Sequence, residues 1–138
     1  DIFIPGDLKK RLYKKCKNLE LIEEDSTSKT LQKQLKKLTA NYKNFYIHLD
    51  SSHTHEHVLK ELNIYSKFLK KNNYIVADDT IVNEIPNQTY RPRPWNKSNN
   101  PKTAVNVFLK NNKNFKIDLT LNYNHLISSS PGGYIIKK

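Results

Sequence analysis

Asn44–Thr80 reads NFYIHLDSSHTHEHVLKELNIYSKFLKKNNYIVADDT, and the rest of the chain is organised around it. An apolar run, Phe45–Leu49, ends on the carboxylate Asp50. A helix is predicted from Thr54, with Val58, Leu59, Leu62, Tyr65, Phe68 and Leu69 along its apolar side. A second apolar run, Tyr74–Ala77, ends on Asp78 and Asp79. Two strands joined by a helix are predicted to lie parallel and to end on the same edge, the edge where such sheets bind ligands. Three carboxylates are thereby expected at one rim. Such a group repels itself unless a cation sits in it, and a hard divalent ion such as Mg²⁺ is the natural occupant.

Outward from this stretch the same alternation continues. Asp1–Ile4 reads as a short strand stopped by Pro5-Gly6, and Asp7 as the cap of a helix carrying Leu8, Leu12 and Cys16. Leu19–Ile22 reads as the next strand. Ser26 or Thr27 then opens a helix with the stripe Leu31, Leu35, Leu38. Strands alternating with helices argue for an α/β fold with a mostly parallel sheet and helices on its faces. Residues 81–100 hold Pro86, Pro92, Pro94, Arg91, Arg93 and the sole tryptophan, Trp95, and loops of that length are usually functional or disordered. Asn100-Pro101 opens a further helix through Ala104, Val105, Phe108 and Leu109. Phe115–Leu121 and Leu126–Ile136 read as an antiparallel hairpin around residues 122–125, with Pro131-Gly132-Gly133 as a turn or bulge.

The totals restrict what the chain can be. Its 138 residues make one domain, 1–138, with one core. Hydrophobic content is 36% and mean hydropathy −0.78, and no apolar run approaches the roughly 18 residues of a membrane span. The opening lacks the basic-then-apolar layout of a signal peptide. One cysteine, Cys16, cannot form an internal disulfide, which fits a reducing, cytoplasmic setting. The net charge of +11 raises nucleic acid as a partner. The positive charge is almost all lysine spread over polar helix faces, so a solvated surface is the better reading and no specific nucleic-acid partner is expected.

Four motifs carry a resemblance: LDSSHTHEHVLKEL (49–62), YIVADDT (74–80), RPWNKSNNPKTAVNVFL (93–109) and SSSPGGYIIKK (128–138). In this order and spacing they resemble the cephalosporin hydroxylase / rhamnosyl O-methyltransferase family, over nearly the whole chain and most strongly from Asp50 onward. The resemblance implies a Rossmann-like class I methyltransferase fold that uses S-adenosylmethionine, with Asp1–Ile4 as the second strand of the sheet. It also implies a first strand and a glycine-rich turn, which this sequence does not contain. Its glycines are Gly6, Gly132 and Gly133, and none is expected to open a helix after a strand. The chain is therefore expected to be the C-terminal part of such a domain, or a form inactive by itself.

The same resemblance makes Asp50, Asp78 and Asp79 a metal triad, with Asp78 where the family more often has Glu. Mg²⁺ there would lower the pKa of an acceptor hydroxyl and orient it. It puts Asp25 and Ser26 near the adenine of the cofactor and Asp1 near the ribose; capping of the next helix is the competing role for the first two. His53, three residues beyond Asp50, is the candidate general base. The set His53, His55, His57 also suggests zinc, but a spacing of two in a helix puts neighbours on different faces. Arg91, Arg93 and Trp95 are candidates for binding a sugar or an anionic small-molecule acceptor, or Trp95 simply packs the loop. The expected activity is Mg²⁺-assisted O-methylation of a small molecule or sugar, by a chain that can also form a homo-oligomer. Its rivals are an inactive remnant or binding module of the same fold, a basic nucleic-acid binder, and an iron oxygenase. The last needs a His-His-carboxylate triad, which three carboxylates fit poorly.

Overall fold

The computed structural model describes every residue except Gln88, within the expected long loop, and Leu126, the first residue of the expected last strand. The element order is α1 (Gly6–Lys15), α2 (Lys29–Ala40), β1 (Tyr46–Leu49), α3 (His55–Tyr65), β2 (Tyr74–Ala77), a 3₁₀ turn (Thr80–Asn83), α4 (Pro101–Asn111), β3 (Phe115–Ile117), α5 (Leu119–Asn124) and β4 (Tyr134–Lys137). The strands form one sheet in the order β1-β2-β4-β3. β1 and β2 are parallel, with Leu49 opposite Ala77. β4 runs antiparallel to both β2 and β3. The fold is α/β as expected, but the sheet is mixed, with one parallel pair instead of a mostly parallel set.

Helical periodicity builds the core. Val58, Glu61, Leu62 and Tyr65 share the buried side of α3, and Pro101, Ala104, Val105 and Phe108 that of α4. These two helices pack on each other and on β2, and Leu62, Ile75, Ala77, Ala104, Val105, Phe108 and Ile135 are fully buried between them and the sheet. Burying each such side chain is worth about 1.5–3 kcal/mol for the larger ones. Asn73 joins the start of β2 to β1: its amide oxygen accepts from Phe45 N at 3.1 Å and its amide nitrogen donates to Lys43 O at 3.1 Å.

Several expected elements take other forms. Asp1–Ile4 and Leu19–Ile22 are extended but not ladder strands. Asp1 N donates to Ile22 O at 3.2 Å and Glu24 N to Asp1 O at 2.8 Å, the bonding of one parallel step and no more. Strands of that length gain little unless a further neighbour extends the ladder. Gly6 does open a helix, α1, and Pro5 takes the cap position instead of Asp7. Ser28 caps α2, accepting from Leu31 N at 3.0 Å. Asp25 has already tied down Thr27, whose N and Oγ1 both donate to Asp25 Oδ1, and that turn delays the helix start. The expected strand to Leu121 stops at Ile117, because Asp118 caps α5 by accepting from Leu121 N at 3.1 Å. β3 and β4 do pair, but through this helix and a loop instead of a tight turn.

The segment before α4 is held by Asn100. It is fully buried, and its oxygen accepts from Thr103 N at 3.1 Å while Thr103 Oγ1 caps back. Its amide nitrogen donates to Asn96 O at 2.9 Å and Lys97 O at 2.8 Å. Asn100→Ala therefore removes a helix cap and the two bonds its amide donates to the Asn96 and Lys97 carbonyls, at a cost of about 2–3 kcal/mol. Urea unfolding should show that loss, with Trp95 emission shifted to the red as residues 94–97 loosen.

Candidate active site

The site forms where β1 and β2 end side by side. Asp50 follows β1, and Asp78 and Asp79 follow β2, with Asp78 N donating to Leu49 O at 3.0 Å. Among the described residues, Asp50, His53 and Asp79 bring one ligand atom each to within 4.8 Å of one another. His53 stands between the two carboxylates: its Nε2 is 3.2 Å from Asp50 Oδ1 and its Nδ1 2.9 Å from Asp79 Oδ2. A neutral imidazole donates from one nitrogen only. Nδ1 is buried and, despite the short distance, makes no aligned hydrogen bond. Asp50 is open to solvent, with its side chain 61% exposed, whereas that of His53 is 14% exposed.

Asp79 has a left-handed backbone, φ 51° and ψ 27°, at the start of the 3₁₀ turn. Asp tolerates this region better than most residues, at a modest cost. The turn carries its carboxylate toward His53.

Asp78 is turned the other way. Its Oδ1 accepts from Ser129 Oγ at 2.5 Å, Ser130 Oγ at 2.6 Å and Asp79 N at 2.8 Å, and its Oδ2 lies 3.1 Å from His48 Nε2. The structure therefore brings Asp50 and Asp79 together with His53 and leaves Asp78 outside that group. Burial alone would push the Asp78 carboxyl up. The two serine hydroxyls, the Asp79 amide and His48 outweigh it and hold the carboxyl at about 2. Sequence reasoning passed over Ser129, Ser130 and His48; the Ser128–Ser130 run before Pro-Gly-Gly was the available signal.

Two cavities flank this edge. One, of about 730 Å³, is lined by His53 and Asp79 together with Arg91, Arg93 and Trp95 and by apolar residues of the 3₁₀ region. The Trp95 ring lies 4.8 Å from that of His53, and the Arg93 guanidinium 5.2 Å from the Trp95 ring centroid. The other, of about 860 Å³, runs along β1, the terminal strand, and is lined by Asp1, Asp25, Ser26, Asp50, Glu61 and apolar side chains of α2 and β1. In it a polar chain links Ser26 Oγ to His57 Nε2 (3.2 Å), His57 Nε2 to Glu61 Oε1 (3.4 Å) and Ser51 Oγ to Glu61 Oε1 (2.8 Å). Glu61 is 1% exposed and its Oε2 has no partner. A glutamate on the apolar stripe of α3 was the sequence sign of this network, and it was missed.

The three histidines have separate partners. His55 N donates to Asn99 Oδ1 at 2.7 Å, and its ring contacts Thr103 Oγ1 at 2.7 Å, joining α3 to α4. His57 belongs to the Glu61 network, and only His53 joins the carboxylate group.

Asp78 ionises more readily folded than unfolded, from the usual 3.8 to about 2. Its contribution is complete above about pH 4 and is lost as pH falls toward 2. Asp78→Asn should cost about 1–3 kcal/mol at neutral pH. In chemical denaturation the difference from the parent should shrink over that acidic window and nowhere else.

No helix among the described residues is long and apolar enough to cross a membrane. No curated protein and no solved structure gives a significant match to this chain. The model of one family does match, rhamnosyl O-methyltransferase/CmcI, over residues 7–138. With nearly its whole length matched and the same motifs meeting at one sheet edge, the chain belongs to the rhamnosyl O-methyltransferase/CmcI family.

Proposed function

We propose that the chain is an S-adenosylmethionine-dependent O-methyltransferase domain that uses a divalent cation such as Mg²⁺. The meeting of Asp50, His53 and Asp79 beside a cavity of small-molecule size carries this reading. The donor set fits a hard cation. Two carboxylates face one point, Asp50 is open to the waters that Mg²⁺ retains, and Nδ1 of His53 is buried without a hydrogen bond. Asp50 and Asp79 would hold the ion, and Asp78 serves as the buttress that aims Asp79. Bound there, the ion supplies positive charge that favours the ionised form of an acceptor hydroxyl.

The chain's own residues do the rest. His53 takes the hydroxyl proton, and Asp50, whose Oδ1 is 3.2 Å from Nε2, stabilises the charged ring. Asp79 Oδ2, 2.9 Å from Nδ1, adds negative charge on the other side of the ring. Trp95 packs on His53 and closes one side of the acceptor cavity, which keeps water from the reacting oxygen.

S-adenosylmethionine supplies the methyl group when bound. The groove along β1 fits its polar end: Asp25 keeps one carboxylate oxygen outside its Thr27 turn, Ser26 lies beside it, and Glu61 Oε2 is an unused buried acceptor. Asp25 and Ser26 would hold the adenosine portion and Asp1 the ribose edge. One observation favours the second reading, an inactive remnant or binding module: among the described residues no glycine lines this groove, so none there offers the close backbone approach that glycine-rich turns give a nucleotide cofactor.

Calorimetry separates these readings. The parent chain should bind Mg²⁺ at a single site, and Asp79→Asn should weaken that binding at least about tenfold, or roughly 1.4 kcal/mol. Equal Mg²⁺ affinity in the two proteins contradicts the cation assignment. Titration with S-adenosylmethionine should give saturable heat, whereas a remnant gives none.

A further inference from the structure

The acceptor cavity has walls of different chemistry. His53 and Asp79 belong to the cation site, Ile81, Val82 and Ile85 are apolar, and Arg91 and Arg93 are cationic. The choice of cation is informative. Lysine carries almost all the positive charge of this chain, and its arginines are Arg11, Arg91 and Arg93. Two of them line this one cavity. Among the described residues, neither guanidinium forms an ion pair with a carboxylate. Arg differs from Lys in presenting a planar fork that grips a carboxylate or phosphate with two parallel bonds, and in stacking on aromatic rings.

Stacking is what Arg93 does. Its guanidinium carbon lies 5.2 Å from the Trp95 ring centroid, and that ring contacts His53 at 4.8 Å. One indole therefore spaces the guanidinium from the candidate base. A group resting on a ring face keeps its N–H edge free for an in-plane acceptor. Pro92 and Pro94 flank Arg93 and limit the backbone on either side of it. A divalent ion held by Asp50 and Asp79 would balance their charge and leave the two guanidiniums as uncompensated positive charge in the cavity.

Resting on the methyl-transfer reading above, we propose that the acceptor is an anionic small molecule: a hydroxyl-bearing apolar ring or chain carrying a carboxylate or phosphate group, which Arg91 and Arg93 select. The hydroxyl faces Asp79 and His53, and the anion faces the guanidiniums. Both arginines are exposed, so removing them leaves the core intact.

Trp95 is the sole tryptophan, and its emission reports occupancy without any turnover. The full chain in MgCl₂ is titrated with catechol, 3,4-dihydroxybenzoate and 3,4-dihydroxybenzylphosphonate. An anionic probe should bind at least about tenfold more tightly than catechol, and the better of the two identifies carboxylate or phosphate as the group. In Arg91→Ala/Arg93→Ala that preference should fall to near unity with catechol affinity unchanged. No preference over catechol in the parent chain, no detectable binding of either anionic probe, or a preference that survives in the double variant overturns the proposal. Replacing MgCl₂ with a chelator tests the reading beneath it separately. Loss of catechol binding on chelation supports a metal-held hydroxyl, and an anion preference that persists with no effect of chelation keeps this inference while contradicting the cation.

Discussion

The junction at the end of β2 governs the rest of the site. Ala77 donates to Gly133 O at 3.0 Å, Asp78 gathers Ser129 and Ser130, and Thr80 Oγ1 donates to Pro131 O at 3.0 Å. Within four residues the strand is thus fastened to the segment entering β4. Glycine is needed here. A Cβ on Gly133 would run into the Ala77 carbonyl, and Gly132, at φ 70°, has Lys102 Nζ where its Cβ would stand. Lys102 in turn donates to Pro131 O, and burial pulls its ammonium below the usual lysine value. With the chain pinned on this side, Asp79 has one direction left, into the left-handed turn toward His53.

Two carboxylates of adjacent sequence therefore have opposite uses. Asp78 is satisfied by hydroxyls and an amide and holds the backbone. Asp79 is left facing an imidazole and a second carboxylate, with no hydroxyl among the described residues to share its charge. Buried polar groups in a protein are paired as a rule, and His53 Nδ1 and Glu61 Oε2 are the exceptions among the buried side-chain atoms of the described residues. Each lies at one of the two cavities that the proposed function requires, His53 at the acceptor side and Glu61 at the groove along β1. The spare bonding capacity of the molecule sits where ligands are proposed.

What could be read from the residues follows from how local each signal is. β1, α3, β2 and α4 carry apolar spacing strong enough to define themselves, and the meeting of Asp50 with Asp79 follows from a parallel pair ending at one edge. Asp1–Ile4 and Leu19–Ile22 have the composition of strands, but a strand exists only through its partners, and theirs amount to a single step of pairing. Leu119–Leu121 reads as the end of a strand because its apolar residues outweigh one cap, Asp118, and residues 122–125 read as the connection, yet Leu119–Asn124 is helix. The orientation of Asp78 depended on Ser129 and Ser130, about fifty positions further along the chain, and no spacing rule reaches that far. Arg91, Arg93 and Trp95 stand out by residue type and by their place in the long loop beside the expected carboxylate rim; that they share one cavity with His53 comes from how Asn100 ties down the segment preceding α4.

The account rests on one cation shared by Asp50 and Asp79. The most direct test is a crystal of the chain grown with Mn²⁺ as an anomalous scatterer in place of Mg²⁺. The account predicts one strong peak with carboxylate oxygens of both Asp50 and Asp79 at about 2.1 Å, the distance of a hard octahedral cation, and Asp78 still bonded to Ser129 and Ser130. A peak held by Asp78 in place of Asp79, or no peak at this sheet edge under saturating Mn²⁺, would contradict it.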